Sequence, residues 1–123
     1  MKQVLLVFIG GGIGSALRYT VGTFFKTTSP GFPWGTFTVN VIGSLLIGIF
    51  MGLALKNSSF SENQTLLLIT GFCGGFTTFS AFAYENQVFL KEGDFTSFLI
   101  YALGSVGVGL VAVFLGLFIS KSF

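Results

Sequence analysis

Charge is what this 123-residue chain has least of. Six lysines and arginines and four acids make up 8% of the sequence, whereas an ordinary globular domain carries about 25%. That is too little to coat a soluble surface. Histidine is absent, and cysteine occurs once, at Cys73. No disulfide forms within the chain, and no His/Cys cluster is on hand for zinc or iron. The acids Glu62, Glu85, Glu92 and Asp94 stand at or outside the ends of the apolar runs, so no buried carboxylate pair serves acid–base catalysis. A net charge of +2 is too small for a nucleic-acid footprint. These absences argue against an enzyme and against a nucleic-acid partner.

What fills the sequence is long apolar stretches. Runs 27–55, 63–84 and 95–120 carry no charge, and 3–25 carries only Arg18. An apolar stretch of 18 or more residues reads as a membrane span, because about 20 helical residues cross a hydrocarbon core of about 30 Å. The expectation is an all-α integral membrane protein in a lipid bilayer, a single four-span membrane domain over 1–123 with no room for a soluble domain. Its spans fall at about 4–25, 35–55, 64–88 and 97–120. A β-barrel would need alternating segments of about 10 residues, and these runs are continuous. Lys2 before a short apolar run imitates a signal peptide, but Arg18 follows without a clear small-residue cleavage site, and three more spans come after it. The first connection, Lys26 to Pro33, is a proline–glycine breaker. Trp34 then opens the second span at headgroup level.

Four spans place both ends and the loop after span two on one side, with Lys2, Lys56 and Lys121; the other side carries Arg18, Lys26 and Lys91. Orientation follows the Lys/Arg imbalance between short loops, and here the two sides are level. Copies inserted both ways up, joined as an antiparallel homodimer about a two-fold axis in the membrane plane, are the expectation. A fixed topology set by a weak residual bias is the alternative.

The spans also carry polar stripes. Thr36, Asn40, Ser44, Gly48 and Gly52 recur every four residues in the second, Gly10, Gly14, Arg18 and Gly22 in the first, and Tyr101, Ser105 and Gly109 in the fourth. This spacing aligns each set on one helical face. Close helix packing explains the glycines. Gly10–Gly11–Gly12 lacks the third glycine of a dinucleotide loop, since Ser15 stands there, and follows no strand. Packing does not explain Asn40 or Arg18, because polar groups inside a span usually face a bundle interior or a water-filled path. Asn40 either bonds between helices or donates its amide to an anion in a vestibule. Arg18 either snorkels to the interface or lends a vestibule a fixed positive field.

Within the third span, Gly74, Gly75, Thr77 and Thr78 are poor helix formers, and they predict a break. Freed carbonyls in a bilayer need partners. A monovalent cation on main-chain oxygens would supply one, and a kink repaired by threonine hydroxyls and water is the other reading. Phe79 and Phe82 flank Ser80 near one face. They are either a core pair or ring edges, which carry partial positive charge, turned toward a narrow anion path.

GGGIGSALRY (10–19), WGTFTVNVIGS (34–44) and GFCGGFTTFSAF (71–82) closely resemble the Fluc (CrcB) family of microbial fluoride channels. The resemblance implies a dual-topology antiparallel homodimer with two fluoride pores in the bacterial inner membrane. It implies a structural sodium ion, Na+, at the dimer interface, on main-chain carbonyls that map to Gly74 and Thr77 of both subunits. The pore phenylalanines map to Phe79 and Phe82, the vestibule amide to Asn40, and polar pore-lining groups to Ser80, Tyr101 and Ser105. The arginine closing the first motif falls on Arg18. Ala81 and Gly109 depart from the family by lacking hydroxyls. The implied role is passive export of fluoride that enters acidified cells as hydrogen fluoride, which lowers the cytoplasmic concentration and confers fluoride resistance.

A small four-span proton-coupled multidrug exporter is the rival reading. Proton coupling needs a titratable group inside the membrane, and the only candidate is Glu85 at the end of the third run. A purely structural subunit would account for the glycine stripes but leaves Asn40 and the third-span break without a purpose.

Overall fold

The computed structural model describes residues 1–28, 31–56 and 60–123. Ser29 and Pro30 of the first connection, and positions 57–59 of the second, lie outside them. Helix α1 spans Lys2–Thr28 and α2 spans Trp34–Lys56. The third span opens with α3, Glu62–Gln64, passes into a π-helical stretch Thr65–Cys73, continues as α4, Gly74–Phe76, and resumes after a break as α5, Phe79–Lys91. Helix α6 spans Phe95–Ser120. The architecture is all-α, with four helices long and apolar enough to cross a membrane, one of them broken.

Local chemistry fixes the ends. Ser61 and Gln64 form a reciprocal capping box before the third span. At the end of α5, Gly93 takes φ +74°. Its amide donates to Leu90 O at 3.1 Å, and the Asp94 amide donates to Phe89 O at 2.9 Å. This left-handed cap closes the helix and needs a residue without a Cβ penalty. Asp94 then accepts the Ser97 amide and starts α6, and its bonds to the Ser97 side chain and backbone hold its carboxyl below the usual range. The turn between α5 and α6 is therefore written in three residues.

Glycines decide which helices pair. Helix α1 packs chiefly on the π-helical stretch and α4, and α2 packs chiefly on α6. A Cβ at Gly75 would stand 2.9 Å from Gly11 Cα, and one at Gly14 2.8 Å from Phe76 N. Gly116 on α6 and Gly48 on α2 face each other as closely, with a Cβ at Gly116 2.9 Å from Gly48 Cα. Backbone meets backbone in both seams, which is the close approach that small residues permit in lipid. Gly10 and Gly14 of the first stripe and Gly48 and Gly52 of the second lie in these seams, whereas a Cβ at Gly22 would meet nothing.

Few side chains are deeply buried. Val39, Ile69, Cys73, Phe76, Tyr101 and Ala112 make up the small apolar core. Leu103, Val106, Leu110, Phe114 and Phe118 of α6 are exposed in a single copy, so lipid or another chain must cover them.

Candidate functional site

The site forms around the break. Thr77 (φ −87°, ψ 158°) and Thr78 (φ −150°, ψ 117°) are extended, so neighbouring carbonyls and amides lose their helical partners. Side chains replace most of them. Cys73 O accepts both the Thr77 amide, at 3.0 Å, and the Thr77 hydroxyl, at 2.9 Å. Gly75 O accepts Arg18 Nε–H at 2.9 Å and the Ser15 hydroxyl at 3.4 Å. Asn40 reaches across from α2: its Oδ1 accepts the Thr78 amide at 2.8 Å while its Nδ2 donates to Thr78 O at 3.2 Å. The Thr78 hydroxyl accepts the Ala81 amide at 3.2 Å and caps α5. No described residue donates a hydrogen bond to the carbonyls of Gly74 or Thr77.

A groove of about 500 Å³ opens beside the break. It is lined by Asn40, Gly43 and Ser44 of α2, by Gly74, Thr77 and Thr78 at the break, by Phe79 and Phe82 of α5, and by Ser105 of α6. The Phe79 and Phe82 rings lie 5.8 Å apart at 46°. Phe79 is 78% exposed, a large apolar ring left bare on the groove's edge. The Ser105 hydroxyl is buried without a hydrogen-bond partner.

Three residues beyond Phe82 on α5 stands Glu85. Its Oε2 accepts the Thr36 hydroxyl at 2.6 Å and its Oε1 the Tyr101 hydroxyl at 2.7 Å. Both carboxylate oxygens are thus held by neutral donors. Tyr101 is packed among Phe32, Phe82 and Phe89, with ring centroids 5.3, 5.1 and 6.1 Å away, so its hydroxyl is aimed by a rigid aromatic nest. Two further cavities open at this end, of about 440 and 320 Å³. Lys26, Gly22, Gly35 and Thr36 line both, Glu85 lines the first, and Arg18 and Thr78 line the second. Arg18 therefore seals a broken-helix carbonyl and stands on a cavity wall at once.

The structure brings Asn40, Phe79, Phe82 and Ser105 to one groove, together with Gly74 and Thr77. Ser80 is exposed, its hydroxyl 3.3 Å from that of Thr78, and is not on the groove wall. Tyr101 is 1% exposed and meets the groove only through the Phe82 ring. From the sequence Glu85 stands open between an interfacial acid and a pore mouth, and Thr36 is a member of the second span's polar stripe without a partner. The signal was present: Thr36 and Tyr101 occupy the same polar stripes as Asn40 and Ser105, and Glu85 is the one acid within their reach.

The family model described as "CrcB-like protein, Camphor Resistance (CrcB)" matches residues 5–117. Relatives named fluoride-specific ion channel FluC match nearly end to end. One from Phocaeicola vulgatus is 44% identical over 98% of this chain and 100% of its own. One from Gloeothece citriformis is 47% identical over 98% of each chain. One from Rhizobium etli is 47% identical over 99% of this chain and 98% of its own.

Proposed function

The chain belongs to the CrcB family and is a multi-pass fluoride channel, and from that premise we propose that it exports fluoride passively through two pores of an antiparallel homodimer in the bacterial inner membrane. The observation that carries this reading is the incomplete groove. One copy supplies a polar wall and a bare Phe79 but no second ring to close the open side of its groove. A second copy related by a two-fold axis supplies that ring, and its own groove receives Phe79 in return, which gives two equivalent paths. The level Lys/Arg count on the two sides supports insertion both ways up.

Conduction of fluoride must offset a large desolvation cost, on the order of tens of kcal/mol for a bare ion in low dielectric. Weak neutral contacts at several sites meet that need without trapping the ion. Arg18 and Lys26 raise the local anion concentration at the cavities. Asn40 has one amide hydrogen left after its bond to Thr78. The edges of Phe79 and Phe82 and the hydroxyl of Ser105 add further donors along the path. No group on the groove wall ionises near neutral pH, so flux follows the fluoride gradient and leaves protons behind.

The carbonyls of Gly74 and Thr77 fit a resident sodium ion. They have no protein donor, Gly74 is exposed, and hard cations take oxygen ligands. Two oxygens per copy make half a site, and the partner's pair would complete it. The ion would supply the positive charge that lets four carbonyl dipoles converge.

Orientation is tested by Glu92→Cys. Cys73 is buried, so an impermeant thiol reagent outside sealed cells reports position 92 alone. Labelling of about half the copies is expected; labelling of all or none contradicts dual topology.

A further inference from the structure

Two serines on the groove wall have idle hydroxyls. A serine inside a helix ordinarily bonds back to a carbonyl one turn earlier, as Ser120 does to Leu117 O at 2.6 Å. Ser105 Oγ is sealed from solvent with no partner at all. Ser44 Oγ, on α2 and half-buried, has no partner among the described residues either. An unpaired hydroxyl in an apolar setting is unfavourable, and two of them lining one groove mark a place prepared for something that accepts hydrogen bonds.

Their register is specific. The polar stripe of α6 runs Tyr101, Ser105 and then Gly109, where it offers no side chain. A Cβ at position 109 would lie 3.7 Å from Ser44 Oγ. The Ser44 hydroxyl thus stands over the bare position, one helical turn beyond Ser105, and reaches there from the opposite helix. The contact is an ordinary van der Waals distance, so a small side chain fits.

We propose that Ser44 and Ser105 form an anion-coordination site between α2 and α6, with Ser44 supplying from α2 the hydroxyl that α6 lacks at Gly109. The ligand is a small, strongly hydrogen-bonding anion that has shed part of its water. Both groups are neutral donors that never ionise at working pH, so they substitute for water without adding a fixed charge. The site rests on the reading of the chain as a fluoride channel and adds a step to its path on the far side of Asn40 from Thr36.

Fluoride efflux from proteoliposomes tests it with four proteins: wild type, Ser44→Ala, Gly109→Ser and the double variant. Ser44→Ala is expected to slow efflux about tenfold or more, the value of one hydrogen bond to a charged group. Gly109→Ser alone conducts near the wild-type rate. The double variant, which moves the hydroxyl from α2 to α6, recovers to within about threefold of wild type. Thermal stability of Ser44→Ala is unchanged or higher, because the hydroxyl has no protein partner to lose. Wild-type efflux through Ser44→Ala overturns the site, and so does slow efflux that Gly109→Ser fails to restore. A wild-type protein that carries no fluoride refutes the channel reading itself, which is a different result from a conducting channel indifferent to Ser44.

Discussion

Replacing Asn40 separates two roles that its amide carries together, holding the helix break and facing the ion. Asn40→Ala removes both bonds to Thr78, at 2.8 and 3.2 Å. A buried donor or acceptor left without a partner costs about 1–3 kcal/mol, so the pair costs about 2–6 kcal/mol, toward the lower end because the site is only part-buried and water enters. Asn40→Asp, when ionised, keeps the bond from the Thr78 amide and loses only the one to the Thr78 carbonyl. Stability then falls in the order Asn, Asp, Ala. Flux falls in a different order. A fixed negative charge about 4 Å from the ion repels it by about 4 kcal/mol at an effective dielectric of about 20, roughly a thousandfold in occupancy, whereas alanine removes only a weak donor. The expected flux order is Asn, Ala, Asp. Protonation gives the aspartic acid a donor and an acceptor like the amide it replaced, so flux through Asn40→Asp rises as pH falls. Fluoride efflux from liposomes, corrected for protein-free leak at each pH, gives the rates, and thermal melting in detergent gives the stabilities. If flux follows stability, with ionised aspartate conducting faster than alanine, Asn40 serves the break alone and does not face the ion.

Tyr101→Phe leaves Glu85 Oε1 without its donor while retaining the ring in its aromatic nest. A buried acceptor left without its partner costs about 1–3 kcal/mol, so a lower melting temperature and slower efflux are expected, and wild-type values for both would show that this bond serves neither the fold nor conduction. Replacing sodium by a large organic cation should weaken the dimer and slow efflux; an intact dimer conducting normally without sodium would exclude a structural cation on Gly74 and Thr77.

The sequence made the spans legible because lipid imposes a single strong constraint on length and charge. The break in the third span was legible too, although the structure confines it to Thr77 and Thr78 while Gly74 and Gly75 stay helical in α4. Its repair was not. Arg18 and Ser15 lie 57 and 60 residues from the Gly75 carbonyl they share, and no local pattern specifies which distant side chain will fill a vacancy. The glycine stripes announced close packing without saying which helix would meet which, because Gly48 could face any other small residue until the register with Gly116 was seen. Glu85 was hidden for a similar reason. An acid at the end of an apolar run looks interfacial until Thr36 and Tyr101 are found on its two oxygens. The sequence also left Asn40 divided between an interhelical bond and an anion contact, and the geometry shows the first directly while leaving one amide hydrogen over.

Selectivity between fluoride and chloride is the most direct test of a fluoride channel. Purified protein in liposomes, loaded in turn with fluoride and with chloride and opened to an outward gradient, should release fluoride rapidly and chloride far more slowly, at the same rate with or without a proton gradient. Equal release of the two anions, or fluoride release that requires a proton gradient, would contradict it.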